Sequence, residues 1–272
     1  MTQSLYLDSV NGIVNDAKTI FQNPISITDR NTLPADGNYK MNSWYKIKDI
    51  VSIFVDIRGS TKLSATLHEK STASIYELFT GTAIKIFHEM GAEYIDVKGD
   101  GVFALFSANK IYTALSSAIT FKTFAQRTFK VLIDKKFEGK NIDIGFHMGI
   151  DQKTVLVKQI GLKDSDRRDR RKNEVWAGKP VNMSAKLASL SNDGELIVSD
   201  RFFKNLGKEE LILKSCGCCN EKETGEKVDL WEEVDLSQND KFDFDKAYML
   251  KSMWCSTHGK EWCQKIIQLD NK

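Results

Sequence analysis

The chain has 272 residues, 41% of them hydrophobic and 28% charged, enough to bury a real core and hold one large domain with extensions. Its 39 basic and 37 acidic residues leave a net charge of +2, so composition gives no case for nucleic acid or a membrane surface as partner. The N-terminus lacks the basic-then-apolar layout of a leader and no apolar run is long enough to span a bilayer, so a cytoplasmic protein is expected.

In chain order, Leu5, Val10, Ile13, Ala17 and Ile20 recur at roughly helical spacing and predict an amphipathic leading helix over 2–22. Residues 23–43, with Pro24, Pro34 and an Asp-Gly pair, read as a connection. The β-branched run Val51 to Val55 then delivers Asp56 to the end of a buried strand, and a helix is expected from Ser60 to Met90. Tyr94 to Phe106 forms two β-rich halves around Lys98-Gly99-Asp100-Gly101, a hairpin signature. A helix over 110–134 follows. Strands at 142–150 and 154–160 are expected to pair as a hairpin, and the charged segment 163–174 reads as an exposed loop or strand extension. A short helix over 181–190 precedes strands at 195–198, 211–213 and 229–234, and the tail from Phe242 to Ile267 reads as mostly helical. This order predicts an α+β fold with a largely antiparallel sheet, the ferredoxin-like arrangement leading.

Two constellations carry chemistry. Asp56 and Asp100 each end or turn a strand beside glycine, and paired carboxylates on adjacent strands suit two Mg²⁺ or Mn²⁺ ions that also grip a triphosphate. Gly59, Ser60 and Thr61 open a helix whose first N–H groups favour anions. Asn182 and Lys186 stand four apart and share one helix face, an amide and a cation able to hold a ribose and a phosphoryl oxygen. The same residues also fit two turn aspartates and a solvated helix face.

Phe54-Val55-Asp56-Ile57-Arg58-Gly59-Ser60-Thr61, Lys98-Gly99-Asp100-Gly101 and Gly178 to Lys186 stand in the order and spacing of the class III nucleotidyl cyclases, and the chain resembles that family from before Val51 to about Asp200. The resemblance implies a nucleotidyl cyclase catalytic domain over 44–213, between an N-terminal helix and connection at 1–43 and a cysteine-containing extension at 214–272. It implies a homodimer in which Asn182 and Lys186 of one chain serve the two metals held by Asp56, Asp100 and the Ile57 carbonyl of the other. Phe54, Ile57, Gly59, Ser60, Thr61 and Asp96 would line the substrate. Ser60 stands where the family often has phenylalanine, and Lys186 where it usually has arginine, which keeps the charge but loses the fork.

The base is read in this family mainly at two positions, here Asp96, four residues before Asp100, and a position near Val175. Asp96 only accepts hydrogen bonds, so it repels adenine N1 but suits uracil N3–H, the cytosine amino group or guanine N1–H and N2–H. Trp44 to Asp49, Lys186 and the cysteine-bearing tail with Trp231 resemble the pyrimidine cyclases of bacterial anti-phage Pycsar systems. That implies cyclic UMP or cyclic CMP, UTP being favoured over CTP, and a separate effector that binds the product. A guanylate cyclase and a non-catalytic nucleotide sensor are the rival readings.

Five cysteines cluster in the last quarter. Cys216, Cys218 and Cys219 form one knot, and Cys255 and Cys263 flank His258. Thiolates and imidazole suit zinc, but Cys-Gly-Cys-Cys does not match the usual two-residue gap between paired ligands, so buried, inert thiols are expected.

Overall fold

In a computed structural model the described residues are 2–34, 43–139, 142–161, 172–219, 222–223 and 225–272. The elements run α1 (Thr2–Gln22), β1 (Ile27–Arg30), β2 (Trp44–Arg58), α2 (Ser60–Thr66), α3 (Glu69–Glu89), β3 (Tyr94–Lys98), β4 (Gly101–Phe106) and α4 (Ile111–Phe124). After a π-helical turn over Ala125–Phe129 come α5 (Lys130–Lys136), β5 (Gly145–Gly161), β6 (Lys172–Ala177), α6 (Lys179–Leu190), β7 (Leu196–Ser199), α7 (Asp200–Asn205) and α8 (Glu210–Leu213). The chain ends with β8 (Cys218–Cys219), β9 (Lys222–Glu223), β10 (Trp231–Asp235), β11 (Lys246–Leu250) and α9 (Gly259–Gln268).

Among the described residues nine strands join one sheet, whose path is β10-β11-β7-β5-β2-β4-β3, with β1 on β2 and β6 on β5. The central four, β5-β2-β4-β3, pair antiparallel throughout and are linked through α3 and α4, the predicted ferredoxin-like order. Strand β2 shows why. Val51, Ile53, Val55 and Ile57 are buried in one core with Phe79, Phe87, Phe121 and Phe146, beneath α3 and α4. The period-2 alternation then turns Ser52, Phe54 and Asp56 to the opposite face. Asp49 sets this phase: it holds φ +52° beside a register shift between Ile47 and Ile50, and its carbonyl accepts from Gln152 Nε2 at 3.0 Å. Before that bulge Tyr45 and Ile47 pack with Leu105 and Val157 in a second cluster.

Helix α6 lies on this second face. A Cβ at Gly149 would collide with the Ser184 carbonyl and come 2.5 Å from the Ala188 nitrogen, so only glycine lets α6 settle on β5. Ser52 and Ser184 hydroxyls meet at 3.0 Å beneath it. Beside α6, fully buried Asp151 of β5 accepts two bonds from Arg201 of α7, at 2.7 and 2.5 Å. The same guanidinium reaches Asp243 at 3.0 Å, and Lys153 and Lys179 also pair with Asp243. These cations hold the Asp243 carboxyl far below its ordinary range.

Several expectations are corrected. The helix expected from Ser60 to Met90 breaks at extended Leu67, and His68 Nδ1 restarts it as α3 by accepting from the Lys70 N–H. The expected hairpin at 142–160 is one 17-residue strand, because buried Asp151 and Gln152 lie within its ladder to β2, and its hairpin partner is β6. The expected connection at 23–43 contains β1, the expected strand at 211–213 is the helical turn α8, and the expected helical tail includes β11. The charged segment falls mostly outside the described residues, including Arg171 and the Lys172 side chain. Along α1, Ile13, Ile20 and Phe21 are exposed. Among the described residues no helix is long and apolar enough to cross a membrane.

Removing one partner of the Asp151–Arg201 pair strands a buried carboxylate, so Arg201→Ala should cost about 3–5 kcal/mol of unfolding free energy in urea melts. A loss under about 1 kcal/mol would mean that the pair does not anchor this face.

Candidate active site

The turn between β3 and β4 is two residues long, Gly99 and Asp100, with Lys98 and Gly101 paired across its base. Gly99 takes φ +67°, as such a tight hairpin demands. The turn brings Asp100 beside Asp56, which sits at the end of β2 on the face opposite α3 and α4. Gly101 keeps that corner open, since a Cβ there would come 2.7 Å from the Phe54 ring. Phe54 and Phe103 pack with their rings tilted, 4.4 Å between centroids, and floor the face.

The two acids form an uncompensated pair. Burial first, then the charge of Asp100 and a hydrogen bond to it, push the Asp56 carboxyl up to about 7, against the pull of the Ile57 backbone. Asp100 Oδ2 is buried and has no hydrogen-bond partner among the described residues. A buried carboxylate oxygen facing a second carboxylate lacks a cation, and hard oxygen donors of this kind suit Mg²⁺ or Mn²⁺. The donor set therefore fits the divalent ions that class III cyclases generally use.

Beyond Asp56 the chain turns at Gly59, at φ +83°, where a Cβ would come 2.9 Å from the Asp143 carbonyl. Ser60 heads α2 and Thr61 is exposed, so the predicted turn and helix start are present. Asp96 lies on β3 opposite Phe103, and its carboxylate pairs with Lys98 at 2.9 Å. Lys98 is largely exposed, which makes it a yielding partner. Val175 is on β6, exposed and paired with Lys158. Next to it Trp176 packs against Tyr94 with the rings tilted, 4.8 Å between centroids, and burial pushes the Tyr94 hydroxyl up to about 12.

Asn182 and Lys186 share the outer face of α6, as their spacing predicts, while Met183, Ser184, Leu187 and Ala188 are buried beneath them. Asn182 is exposed, and Lys186 Nζ donates to the Lys241 carbonyl at 2.9 Å. Within one chain, among the described residues, no hydrogen bond or ion pair joins either to Asp56 or Asp100. The acids and the α6 pair stand as two separate groups.

No protein-family model matches the chain. A curated uridylate cyclase of Propioniciclava tarda is 32% identical over 276 residues, covering 98% of this chain and 84% of that protein. Another uridylate cyclase, from Micromonospora echinofusca, is 32% identical over 242 residues, covering 88% of this chain and 75% of that protein. The chain belongs to this family of nucleotidyl cyclases. Its fold agrees: the crystal structure of the adenylyl cyclase CyaB from P. aeruginosa superposes with a TM-score of 0.58 at 20% identity, over 76% of this chain and 95% of that one. The enzyme is thus a nucleotidyl cyclase on a class III fold.

The raised Asp56 carboxyl has a stability consequence in cation-free buffer. Between its unfolded value near 3.8 and its folded value of about 7 the native state holds a proton that the unfolded chain has lost, so stability falls as pH rises through this window. The thermal midpoint should drop from about pH 5 to about pH 8, and Asp56→Asn should flatten the slope. Parallel slopes for wild type and variant would refute the assignment.

Proposed function

We propose that this cyclase converts UTP to 3′,5′-cyclic UMP and pyrophosphate, in active sites shared between two copies of the chain. The observation that carries the catalytic part is the pair Asp56 and Asp100, with one buried carboxylate oxygen unsatisfied and, among the described residues, no cation paired with it. The substrate follows from the relatives, named uridylate cyclases, and from the acceptor Asp96 at the base-reading position.

In the reaction the ribose 3′-oxygen bonds to the α-phosphorus, the α–β bridging P–O bond breaks, the 3′ proton leaves and pyrophosphate departs. Asp56 and Asp100, with the Ile57 carbonyl, would hold two divalent ions, Mn²⁺ or Mg²⁺, whose chemistry is to acidify the 3′-hydroxyl and offset phosphate charge. The N–H groups of Gly59, Ser60 and Thr61 receive phosphate oxygens at the start of α2. Asn182 of the second copy orients the ribose, and its Lys186 meets charge developing on the phosphoryl oxygens. Among the described residues Lys186 is held by a neutral carbonyl and by no carboxylate, which leaves its charge for the phosphoryl oxygens.

Asp96 accepts from uracil N3–H once Lys98 swings aside, and Phe54 and Phe103 give the base an apolar floor. The same carboxylate suits the cytosine amino group, so CTP is the second reading, ahead of GTP. Adenine N1, itself an acceptor, is repelled. The product would act as a second messenger read by a separate cyclic-nucleotide-binding effector, as the resemblance to anti-phage cyclases implies.

Incubation of the purified chain with each of the four ribonucleoside triphosphates and Mn²⁺ should yield cyclic UMP as the dominant product. Dominant cyclic CMP or cyclic GMP would replace the substrate assignment, and nucleotide binding without any cyclic product would mark a sensor. Asp96→Asn, which swaps an ionised acceptor for an amide, should lower kcat/KM for UTP by about 10- to 100-fold and leave the fold intact.

A further inference from the structure

The cysteines were expected to be buried and inert. Cys216, Cys218, Cys255 and Cys263 are instead each half-buried, and the fold sorts them. Cys263 bonds Ser116 at 2.8 Å and stands apart from the others. The Cys219 side chain lies outside the described residues. Cys216, Cys218, Cys255 and His258 converge, with one donor atom from each lying within 4.8 Å of all the others.

We propose that these three thiols and the imidazole bind a structural Zn²⁺. The geometry is near what that ion needs. Tetrahedral bonds of about 2.3 Å to sulfur and 2.0–2.1 Å to nitrogen put neighbouring donor atoms about 3.5–3.8 Å apart. Cys218 Sγ and Cys255 Sγ already stand 3.3 and 3.9 Å from His258 Nδ1, which makes Nδ1 the ligating nitrogen. Two separate backbone devices bring the donors in. Gly217, at φ +85°, turns the chain between Cys216 and Cys218 just ahead of the β8–β9 hairpin, and its carbonyl accepts from the Gly225 N–H at 3.2 Å. Cys255 and His258 are three residues apart in the turn that starts α9, where the Gly259 N–H bonds the Cys255 carbonyl at 2.8 Å.

The chemistry selects the ion. Three soft thiolates and one imidazole, with no carboxylate among them, favour Zn²⁺ over the hard cations expected at Asp56 and Asp100. Four protein ligands close the coordination sphere and leave no position for a substrate, which is the structural type of zinc site.

What the ion would fasten is the C-terminal segment. Trp254, next to Cys255, bonds Thr120 and Thr123 of α4 at 2.9 and 3.0 Å. Fully buried Lys122 of the same helix donates to the carbonyls of Lys251 and Ser252. Asp270 accepts from the Tyr112 and Thr113 N–H groups at the start of α4. Zinc would join the segment after α8 to this strap and fix both against the helix that backs the catalytic sheet. The site thus stabilises the fold and touches no reacting atom.

Metal analysis of wild-type protein, grown with zinc and purified reduced without chelator, tests this directly. One zinc per chain is expected, retained in Asp56→Ala and Cys263→Ser and lost in Cys218→Ser and Cys255→Ser. Should those two variants fail to fold, Co²⁺ added to zinc-stripped wild type keeps the test open. It should give the visible bands of a tetrahedral site and a thiolate-to-metal charge-transfer band, with a rise in thermal midpoint. Wild type that carries no zinc and gives no such bands overturns the proposal. So does iron in zinc's place, a disulfide within the cluster in reduced preparations, or zinc undiminished in both cysteine variants.

Discussion

The structure turns on a repulsion that the chain does not relieve by itself. Asp56 and Asp100 are forced together by a central strand and a two-residue turn, half-buried, and among the described residues no Lys or Arg pairs with either. Elsewhere acids meet cations: Arg201 pairs with fully buried Asp151, and three cations meet Asp243. Under the proposed function, exogenous cations and, through them, a polyphosphate would relieve the pair that is left. The pair costs stability and is kept at the corner where nucleotide chemistry would occur.

The rest of the architecture serves to present that pair on an open face. The bulge at Asp49 fixes the phase of β2, so that the aliphatic residues go under α3 and α4 and the acid goes to the other side. One residue more or less would bury Asp56 in the core and expose Val55. On the open face α6 is clamped by the bare backbone of Gly149, and the Arg201 network braces its first turn through Lys179 and Asp243. Asn182 and Lys186 lie on the outer face of α6, and the corner around Asp56 lies on the open face of the sheet. In the proposed dimer each would supply what the other lacks.

Much of this was legible in the sequence where local and global signals agree. The β-branched run before Asp56 and the Lys-Gly-Asp-Gly turn carry the right period and turn chemistry, so the strand, hairpin and acid pair follow from them. That Asn182 and Lys186 share one helix face followed from their spacing; their role is what the family resemblance implies. Long-range packing hid the rest. Polar Asp151, Gln152 and Lys153 read as a turn because their partners, Arg201 and Asn205, lie some fifty residues away, and only those contacts let polar residues sit within a continuous strand. The break at Leu67 depends on His68 capping the next helix, and β11 is a strand because β7 and β10 flank it. The cysteine cluster was missed by attending to Cys-Gly-Cys-Cys. The usable signal was the two-residue gap between Cys255 and His258, the spacing expected of paired ligands.

The central claim is that two half-sites on different chains make one active centre. Complementation measures it most directly. Asp56→Ala and Asn182→Ala chains, each inactive alone, are mixed, allowed to exchange subunits, and assayed for cyclic product. In a mixed dimer one of the two symmetry-related sites takes its acids from the Asn182→Ala chain and its asparagine from the Asp56→Ala chain, so activity should reappear on mixing. If the mixture stays inactive while heterodimers are shown to form, the shared site is contradicted.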